Sequence, residues 1–467
     1  MRIDLPAYLP DQSINSGVVT VAENVYRAAD GYRPVGSFLS NSDALPAAFN
    51  GGGAFISTGG TSYLLAGTTE TLSRYSAGGW VDLLDTLTVA QRWNFAQFGD
   101  YVIAVNGGAT QEVDLNAGTA GDLTGAPTGT CVAIVGDYVV IGQADSDILL
   151  VQWSAFNDHT GWTPGTDQSG FQPMLTGGEI MGLAGGEFGV ILQRQRLVRM
   201  SRTGDASAPF QFDEITPNVG CASKGSVCQH GRSVFFLSDR GFMACEDGQL
   251  PVPIGNEKVD RDFQNQVPRD EWARLYGTVD PRRTLVSWVL PGNPGKEWIY
   301  NWTLQEWSFA TYNVDGAFSG YTSSTDTDNT GITDIDADPA LTVDDPRFSG
   351  GAPRMFAVQN SIIGTMEGPP LQARVHLGFY EFAKDRVSRL RSIRLVGDMT
   401  DATCTVDTRQ RLGDAERLTT VSGIRASGIM PIRCSGRYVS IRTTIPAAHQ
   451  WGIFRAVEVE VAGGGER

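Results

Sequence analysis

Two short stretches decide how this chain folds: residues 99–107 (GDYVIAVNG) and residues 136–142 (GDYVVIG). In each, a Gly-Asp turn precedes a run of β-branched and aromatic residues, and a glycine ends the run. Short apolar runs of this composition, bounded by turn residues, are typical of buried β-strands. Residues 60–67 (GTSYLLAG) repeat the pattern, and we therefore predict a hairpin unit that recurs along the chain.

Looser copies of the unit begin at Gly186, Gly231 and Asp280, and a last one begins at Pro353. The starts at 60, 99, 136, 186, 231 and 280 are separated by 39, 37, 50, 45 and 49 residues. A period of about 40–50 residues carried by strands is the signature of β-propeller blades. We predict an all-β protein built around a propeller of about six to seven blades.

The pattern changes along the chain. Residues 323–346 are rich in aspartate and poor in large apolar side chains, which indicates a surface loop. From about residue 371 the strands alternate with basic residues, as in 387–396 (VSRLRSIRLV). We predict a β-propeller over 1–366 with an acidic loop insertion near 323–346, and a β-sandwich-like domain over 367–467. The best helix candidate is 258–275, with Asp260 as a possible cap.

Charge limits the possible partners of the chain. The formal net charge is -16, with 15 Lys+Arg against 11 Asp+Glu in 366–467 and 21 against 41 in 1–365. An acidic surface is poorly suited to gripping nucleic acid, although it can surround DNA without holding it. The N-terminus MRIDLPAYLP lacks the pattern of a secretory signal, and no apolar run reaches the length of a membrane helix. We expect a chain that is soluble when made and is not inserted into a membrane.

The sequence offers little catalytic machinery. It contains no G-x-S-x-G nucleophile motif, and 292–296 lacks the spacing of a phosphate-binding loop. Its four histidines have no evident partner, and we interpret them as surface or packed residues. We therefore expect no enzymatic activity and no cofactor. The histidines are His159, His230, His376 and His449.

Two groups of residues could be drawn as metal sites. Asp326, Asp328, Thr330 and Asp334 have the spacing of the first ligands of a calcium loop, but the glutamate expected at the twelfth position is Ala337. The alternative is an exposed acidic loop. The second group, which lacks a C-x-x-C knuckle and can equally consist of packed thiols, comprises Cys221, Cys228, His230 and Cys245.

A tryptophan cluster leaves a second function open. Trp288, Trp298, Trp302 and Trp307 could stack on sugars, or they could fill blade cores and seams. The chain has none of the S-x-D-x-G-x-x-W boxes of sialidase-like propellers. A glycan-binding or glycan-cleaving propeller for host-surface recognition is the alternative hypothesis.

Several segments resemble a family of bacteriophage proteins. Residues 151–162 (VQWSAFNDHTGW) are similar to a hairpin of tail nozzle and hub proteins, also called packaged-DNA stabilisation proteins, except that His159 stands where the family often has proline. Residues 342–351 (TVDDPRFSGG) resemble a segment late in their propellers. Residues 435–438, Trp451 and the final GGGER resemble their closing strands.

This resemblance implies a structural protein of the virion tail that is synthesised in the host cytoplasm. Such proteins form a six-fold ring below the portal and its adaptor, to which tail fibres or spikes and a distal needle or plug attach. They retain DNA in the head and later guide its ejection, without binding it specifically. On this basis we expect acidic propeller residues to line the DNA channel and the basic C-terminal region to contact acidic neighbours.

Overall fold

The structure is a computed structural model that describes residues 1–76, 79–89, 91–321, 353–384 and 386–463. Regular structure in these ranges is almost entirely β-strand. The chain begins with β1 (Arg2–Asp4), β2 (Val19–Glu23), β3 (Val25–Ala28), β4 (Gly31–Pro34) and β5 (Leu39–Ala44).

Six consecutive blades follow, and in each of them four successive strands pair as an antiparallel sheet. Blade 1 comprises β6 (Gly52–Ile56), β7 (Ser62–Gly67), β8 (Leu72–Ser76) and β9 (Gly79–Leu84). Blade 2 comprises β10 (Asn94–Phe98), β11 (Tyr101–Val105), β12 (Gln111–Asp114) and β13 (Thr119–Asp122). Blade 3 comprises β14 (Cys131–Val135), β15 (Tyr138–Gly142), β16 (Leu150–Trp153) and β17 (Gly170–Pro173).

The next three blades have the same order of strands. Blade 4 comprises β18 (Ile180–Ala184), β19 (Gly189–Gln193), β20 (Leu197–Arg202) and β21 (Phe210–Thr216). Blade 5 comprises β22 (Cys228–His230), β23 (Ser233–Ser238), β24 (Gly241–Glu246) and β25 (Val252–Pro253). Blade 6 comprises β26 (Tyr276–Asp280), β27 (Leu285–Leu290), β28 (Gly292–Asn301) and β29 (Glu306–Val314).

Blade 7 closes the propeller with strands from two distant parts of the chain. Its first three strands are β30 (Gly316–Tyr321), β31 (Pro353–Gln359) and β32 (Ile362–Thr365). The fourth is β5, which pairs with β32. Strand β30 also pairs in parallel with β6 of blade 1, at Gly320 and Ala54. The sheets therefore form a seven-bladed ring, in agreement with the predicted all-β propeller.

The repeated sequence unit marks one position in the blades, the hairpin between the first and second strands. In blade 2, Phe98 pairs with Tyr101, so Gly99 and Asp100 form a two-residue turn. Gly99 has a φ of 60°, a conformation that glycine adopts without strain. The apolar run after the turn becomes the second strand, which is fully buried in β15 and β19. The sequence period is thus the spacing of these hairpins.

Both ends of the chain form the second domain, a sandwich of two sheets. One sheet contains β2, β33 (Ala373–Leu377), β34 (Tyr380–Glu381), β36 (Thr403–Arg409), β37 (Leu418–Ser422) and β39 (Tyr438–Ile445). The other contains β1, β3, β4, β35 (Ser388–Gly397), β38 (Met430–Gly436) and β40 (Phe454–Gly463). The β-sandwich-like region predicted at the C-terminus is thus present, and it also includes N-terminal strands.

The division of the chain differs from the predicted one at its first boundary. The prediction placed 1–366 in the propeller, but β1 and β4 pair with β40, and β2 pairs with β33. The blades occupy 39–365 and lie between the two segments of the sandwich in the chain. The reason is that these partners of β1, β2 and β4 lie more than 300 residues away in the chain, and no local pattern encodes such pairing. The predicted acidic insertion near 323–346 lies outside the described residues.

Blade 6 joins the two domains through a continuous sheet. Strand β2 pairs in parallel with β29, at Glu23 and Phe309. The largest core of the protein lies at this junction and contains the fully buried Trp288, Trp298 and Trp307. Burying aromatic side chains of this size contributes strongly to stability, so the sandwich and blade 6 are expected to unfold together.

The predicted helix is present but shorter and differently capped. Residues 258–275 form α1 (Asp260–Gln266) and a 3-10 helix (Arg269–Arg274); further 3-10 helices are Ala144–Ser146 and Lys224–Ser226. Asp260 is not the cap, because its carboxylate is buried and accepts the Phe242 backbone N–H at 3.1 Å. Asp11 caps the helix instead, accepting the backbone N–H of Arg261 at 2.9 Å and of Asp262 at 2.7 Å.

Candidate functional site

A cavity of about 900 Å³ lies on the propeller axis. The first strand of every blade contributes to its wall, so the cavity follows directly from the closed ring. Small residues let these strands converge: a Cβ on Gly277 would lie 2.5 Å from the Ser226 carbonyl oxygen. The wall is mixed in character, with aromatic Phe55, Phe95 and Phe318 beside polar Asn94 and Ser319.

One mouth of this cavity is crossed by Arg92, which precedes blade 2. Its Nη1 donates to the Leu275 carbonyl at 2.6 Å, and its Nη2 donates to the Arg274 carbonyl at 3.2 Å. The guanidinium also lies 3.5 Å from the centre of the Tyr276 ring. Burial lowers the pKa of Arg92. Since Leu275 precedes blade 6, Arg92 ties together segments from opposite sides of the propeller.

The other cations at this mouth also have partners within the protein. Lys224 Nζ donates to Gln143 Oε1 at 3.0 Å and lies 4.0 Å from the Glu179 carboxylate. Arg194 Nη1 donates to the Ala222 carbonyl at 2.6 Å. These bonds satisfy the charged groups of Lys224 and Arg194, and the bonded side chains narrow the mouth of the cavity. The arrangement supports a structural role for the axial residues, as a closure of the propeller.

Replacing Arg92 by methionine should reduce the free energy of unfolding by about 2 kcal/mol, because two carbonyls lose a charged donor. Urea unfolding followed by circular dichroism measures the change. Arg240→Met is the matched control, since Arg240 is exposed in a turn of blade 5 on the same face; it should change stability by less than about 0.5 kcal/mol. Equal effects of the two substitutions would contradict the bridging role of Arg92.

Only one of the two predicted metal sites lies within the described residues. Asp326, Asp328, Thr330 and Asp334 all lie outside the described residues. Within the part of the chain that the structure describes, no three His, Cys, Asp or Glu side chains are grouped as metal ligands. That statement includes Cys221, Cys228, His230 and Cys245, which do not converge as the ligands of one metal ion.

The cysteines of that second group are separate, buried thiols. Cys228 belongs to the core between blade 6 and the sandwich, whereas Cys221 and Cys245 belong to the core of blades 4 and 5. Burial raises the pKa of Cys221 and of Cys245 to about 11 and also raises the pKa of Cys228. A thiol protonated at neutral pH is a weak nucleophile and a weak metal ligand. His230 lies elsewhere, with its ring 5.0 Å from that of Trp302.

The other histidines have structural surroundings. His376 is partly buried, and its burial together with nearby arginines lowers its pKa to about 4. His449 Nε2 accepts the backbone N–H of Thr400 at 3.1 Å and of Asp401 at 3.3 Å. We therefore interpret His376 as a packed residue of the sheet and His449 as a residue that holds the backbone at Thr400 and Asp401 in place.

The tryptophan cluster fills cores, as one of the two interpretations proposed. Trp288, Trp298 and Trp307 are fully buried, and Trp302 is half-buried against Phe235. Side chains inside a core cannot stack on a sugar. This cluster therefore gives no support to a glycan site.

The acidic residue of the repeated turn connects neighbouring blades. Asp100 in blade 2 accepts the backbone N–H and the hydroxyl of Thr58 in blade 1, each at 2.6 Å. These bonds lower the pKa of Asp100. Asp137 in blade 3 accepts from Arg202 Nη1 in blade 4 at 2.9 Å. The repeat thus encodes both a hairpin turn and an inter-blade contact, which its sequence alone did not reveal.

The hairpin at 151–162, which carries the family resemblance, also joins two blades. Trp162 is buried, and its Nε1 donates to the His159 carbonyl at 2.7 Å. His159 Nε2 lies 3.0 Å from a Glu112 carboxylate oxygen of blade 2. The hairpin is therefore an ordered part of the propeller wall.

Charge is distributed unevenly around the propeller. Residues 93–193 contain no lysine or arginine. Blades 2 and 3, which lie within that range, carry nine carboxylates: Asp100, Glu112, Asp114, Asp122, Asp137, Asp145, Asp147, Asp158 and Asp167. Because seven blades follow one another around the axis, blades 2 and 3 lie opposite blade 6, where the sandwich is attached.

The sandwich carries the opposite charge on its outer sheet. Arg389, Arg391 and Arg394 on β35 and Arg433 on β38 are exposed. We call these four residues the arginine face. Among the described residues, none of them forms an ion pair with a carboxylate. The alternation of basic residues in 387–396 had indicated such a strand, but not the face that it forms with β38.

No protein-family model and no curated protein matches this chain. Among solved structures, the extracellular domain of a one-component system from B. thetaiotaomicron aligns over 78% of this chain and 43% of its own, with 10% identity and a TM-score of 0.42. U3-55K aligns over 60% of this chain and 88% of its own, with 7% identity and a TM-score of 0.37. The WD40 repeats of RRP9 align over 60% and 89%, with 6% identity and a TM-score of 0.37.

This chain thus spans less than half the length of the first of these structures. The fold described above rests on its own strand pairing. Within the described residues, no helix has the length and apolar character needed to cross a membrane.

Proposed function

We propose that this chain is a structural subunit of a bacteriophage tail. In this proposal it forms the nozzle or hub ring below the portal and adaptor, retains the packaged DNA and guides its ejection. Its partners are further copies of itself in a six-fold ring, the adaptor above, and the fibres or spikes and the needle attached to the assembly. It acts without catalysis and without specific contacts to DNA.

The observation that carries this proposal is the charge of one face of the propeller. This face is formed by the turns between first and second strands and between third and fourth strands. The described turns there contain seven acidic residues and three arginines. The acidic residues are Asp100, Asp137, Asp158, Asp167, Glu187, Asp205 and Asp247, and the arginines are Arg232, Arg282 and Arg283.

Such a face suits a DNA channel that must not hold its cargo. A DNA duplex carries one negative charge for about every 1.7 Å of its axis, and binding proteins neutralise these charges with lysine and arginine. A wall with an excess of carboxylates repels the phosphates, so DNA meets no strong binding sites as it passes. The path lies between subunits in this proposal, since Arg92 and its neighbours narrow the axis of the single propeller.

The construction of the subunit supports the same function. The propeller is closed by β5, and the sandwich takes strands from both ends of the chain, so neither domain has a loose end in the described residues. A ring that resists the pressure of packaged DNA needs rigid subunits. The ordered hairpin at 151–162, with its resemblance to tail nozzle and hub proteins, agrees with this role.

DNA retention tests the proposal directly. Phage particles assembled without this chain should lose their genome to added nuclease, and particles supplied with the purified chain should protect it. The purified chain itself should not retard duplex DNA in a gel at low salt, where electrostatic binding is strongest. Equal nuclease protection with and without the chain would contradict a role in retention.

A further inference from the structure

The arginine face is incomplete as a surface of an isolated molecule. Its four guanidinium groups lie on two paired strands, and Arg391 sits at a bulge in the pairing, beside Arg433. Like charges on neighbouring strand positions repel one another. Glu458 on β40 lies opposite Arg394 and offsets part of this charge. A carboxylate-bearing partner would relieve the repulsion that remains, so the face is expected to be covered in the working assembly.

A complementary surface exists on blade 3, which we call the blade 3 rim: Asp145, Asp147, Ile148, Phe171 and Leu175. Its apolar members are unusually exposed, with 51% of Ile148, 53% of Phe171 and 77% of Leu175 accessible. Ile148 and Leu175 lie close together, because the Met174 N–H donates to the Leu149 carbonyl at 2.7 Å. Phe171 lies farther along β17, where it pairs with Gln152 of β16. Exposed apolar residues grouped in this way mark an interaction site.

The chemistry of the rim fits arginine. An arginine side chain packs its aliphatic stem on apolar residues, while its guanidinium binds carboxylates and stacks on an aromatic ring. Asp147 offers a carboxylate beside the apolar Ile148 and Leu175, and Phe171 offers a ring to a second arginine farther along β17. Blades 2 and 3 themselves contain no lysine or arginine, and the nearby Arg196 of blade 4 pairs with Glu214 at 3.4 Å. Arginine is also enriched in protein interfaces, where lysine is depleted.

We infer that the arginine face of one copy docks on the blade 3 rim of the next copy, in a head-to-tail contact. The two surfaces cannot meet within one molecule, because the sandwich is attached at blade 6 and blade 3 lies on the opposite side of the propeller. Contacts between different surfaces of identical chains are heterologous and form a ring when the rotation closes. The closure of the ring depends on the proposed function, whereas the contact between two copies of the chain does not.

DNA is a weaker candidate for the arginine face. Glu458 and Glu460 lie on the neighbouring strand β40, opposite Arg394 and Ser392. The Ser392 hydroxyl donates to the Glu460 carboxylate at 2.8 Å. Carboxylates interleaved with the arginines would repel the continuous row of DNA phosphates. The blade 3 rim carries only two carboxylates beside apolar residues, so a protein partner of this kind meets less repulsion from the glutamates.

Charge reversal tests the contact. The face variant is Arg391→Glu/Arg394→Glu, and the rim variant is Asp147→Lys/Leu175→Lys. Exposed residues elsewhere provide matched controls, Arg33→Glu/Arg240→Glu and Leu250→Lys. Sedimentation velocity of the full chain gives the association constant over a range of salt concentrations, and circular dichroism confirms that each variant is folded.

The wild-type chain and the controls should associate, with weaker association at high salt. Each charge-reversed variant alone should associate at least about tenfold more weakly, because like charges meet in the contact. An equal mixture of the two variants should regain association. In a ring of even number the variants alternate, so each contact joins either two native surfaces or two reversed ones.

The outcomes separate this inference from the proposed function. A ring that assembles on the portal and adaptor equally well with either variant would overturn the docking contact and leave the tail ring standing. Charge-dependent association in solution, without assembly on the portal and adaptor, would support the contact and contradict the tail ring. Association insensitive to both variants, with loss of DNA binding in the face variant, would show that the arginine face serves nucleic acid.

Discussion

Replacing Trp307 by alanine should lower the free energy of unfolding by about 3–5 kcal/mol, the usual cost of emptying a buried aromatic site. Trp307 is fully buried in blade 6, with its ring 5.0 Å from that of Phe242 in blade 5 and 5.7 Å from that of Trp288. Its Nε1 donates to the Ile254 carbonyl at 2.9 Å. The cavity would therefore weaken the contact between two blades and the core shared with the sandwich.

Urea unfolding of the full chain, followed by circular dichroism, measures this effect. Trp307→Phe keeps one aromatic ring but loses the Nε1 hydrogen bond and part of the indole, so we expect a smaller loss of about 2 kcal/mol. Trp302→Ala is the matched control, because Trp302 is half-buried at the edge of the same core. If Trp302→Ala is as costly as Trp307→Ala, the junction of blade 6 is not the main core of the molecule.

Replacing Asp260 by asparagine should make the protein more stable above neutral pH. Burial, together with the nearby Asp11, raises the pKa of Asp260 from 3.8 to about 6. Its Oδ2 has no hydrogen-bond partner among the described residues. The backbone of two glycines packs closely against this carboxylate. A Cβ added to Gly255 would lie 2.0 Å from Oδ1, and one added to Gly241 would lie 2.1 Å from Oδ2.

The direction of the pH effect follows from the raised pKa. The folded state binds the Asp260 proton more strongly than the unfolded state does. The associated stability is therefore fully present below the unfolded pKa of 3.8 and is lost as the pH rises through about 6. A pKa difference of this size corresponds to about 3 kcal/mol. Asp262, whose pKa burial also raises, contributes in the same direction.

Unfolding free energies at pH 4 and pH 8 test this prediction. The wild type should lose stability between these values relative to Asp260→Asn, and the variant should be the more stable of the two at pH 8. Asp205→Asn is a suitable control, because Asp205 is fully exposed and its pKa is lowered rather than raised. A wild type and an Asp260→Asn variant with the same pH dependence would show that Asp260 is not the group that titrates.

The sequence was informative where structure depends on neighbouring residues. The turn at Gly99 and the run after it are encoded within nine residues, so the repeat identified the hairpins of the blades and the all-β class. The change to alternating basic residues near 387–396 likewise indicated the sandwich strand β35. Each of these features needs only a local turn and an apolar alternation.

The features that the sequence did not reveal depend on distant pairing. Nothing near β5 indicates that it completes blade 7, and nothing near Asp11 indicates that it caps a helix about 250 residues later. The blade 3 rim and the arginine face could not be placed on opposite sides before the order of the blades was known. The sequence did show that 93–193 contains no lysine or arginine. Without the order of the blades, this absence could not place an acidic surface opposite the arginine face.

Electron microscopy of the chain assembled with its portal and adaptor tests the account most directly. We predict a six-fold ring below the adaptor, with a seven-bladed propeller in each subunit, acidic turns facing the channel and each arginine face against the blade 3 rim of the next copy. A chain that remains monomeric beside an intact portal and adaptor, and is absent from the tail, would contradict the account.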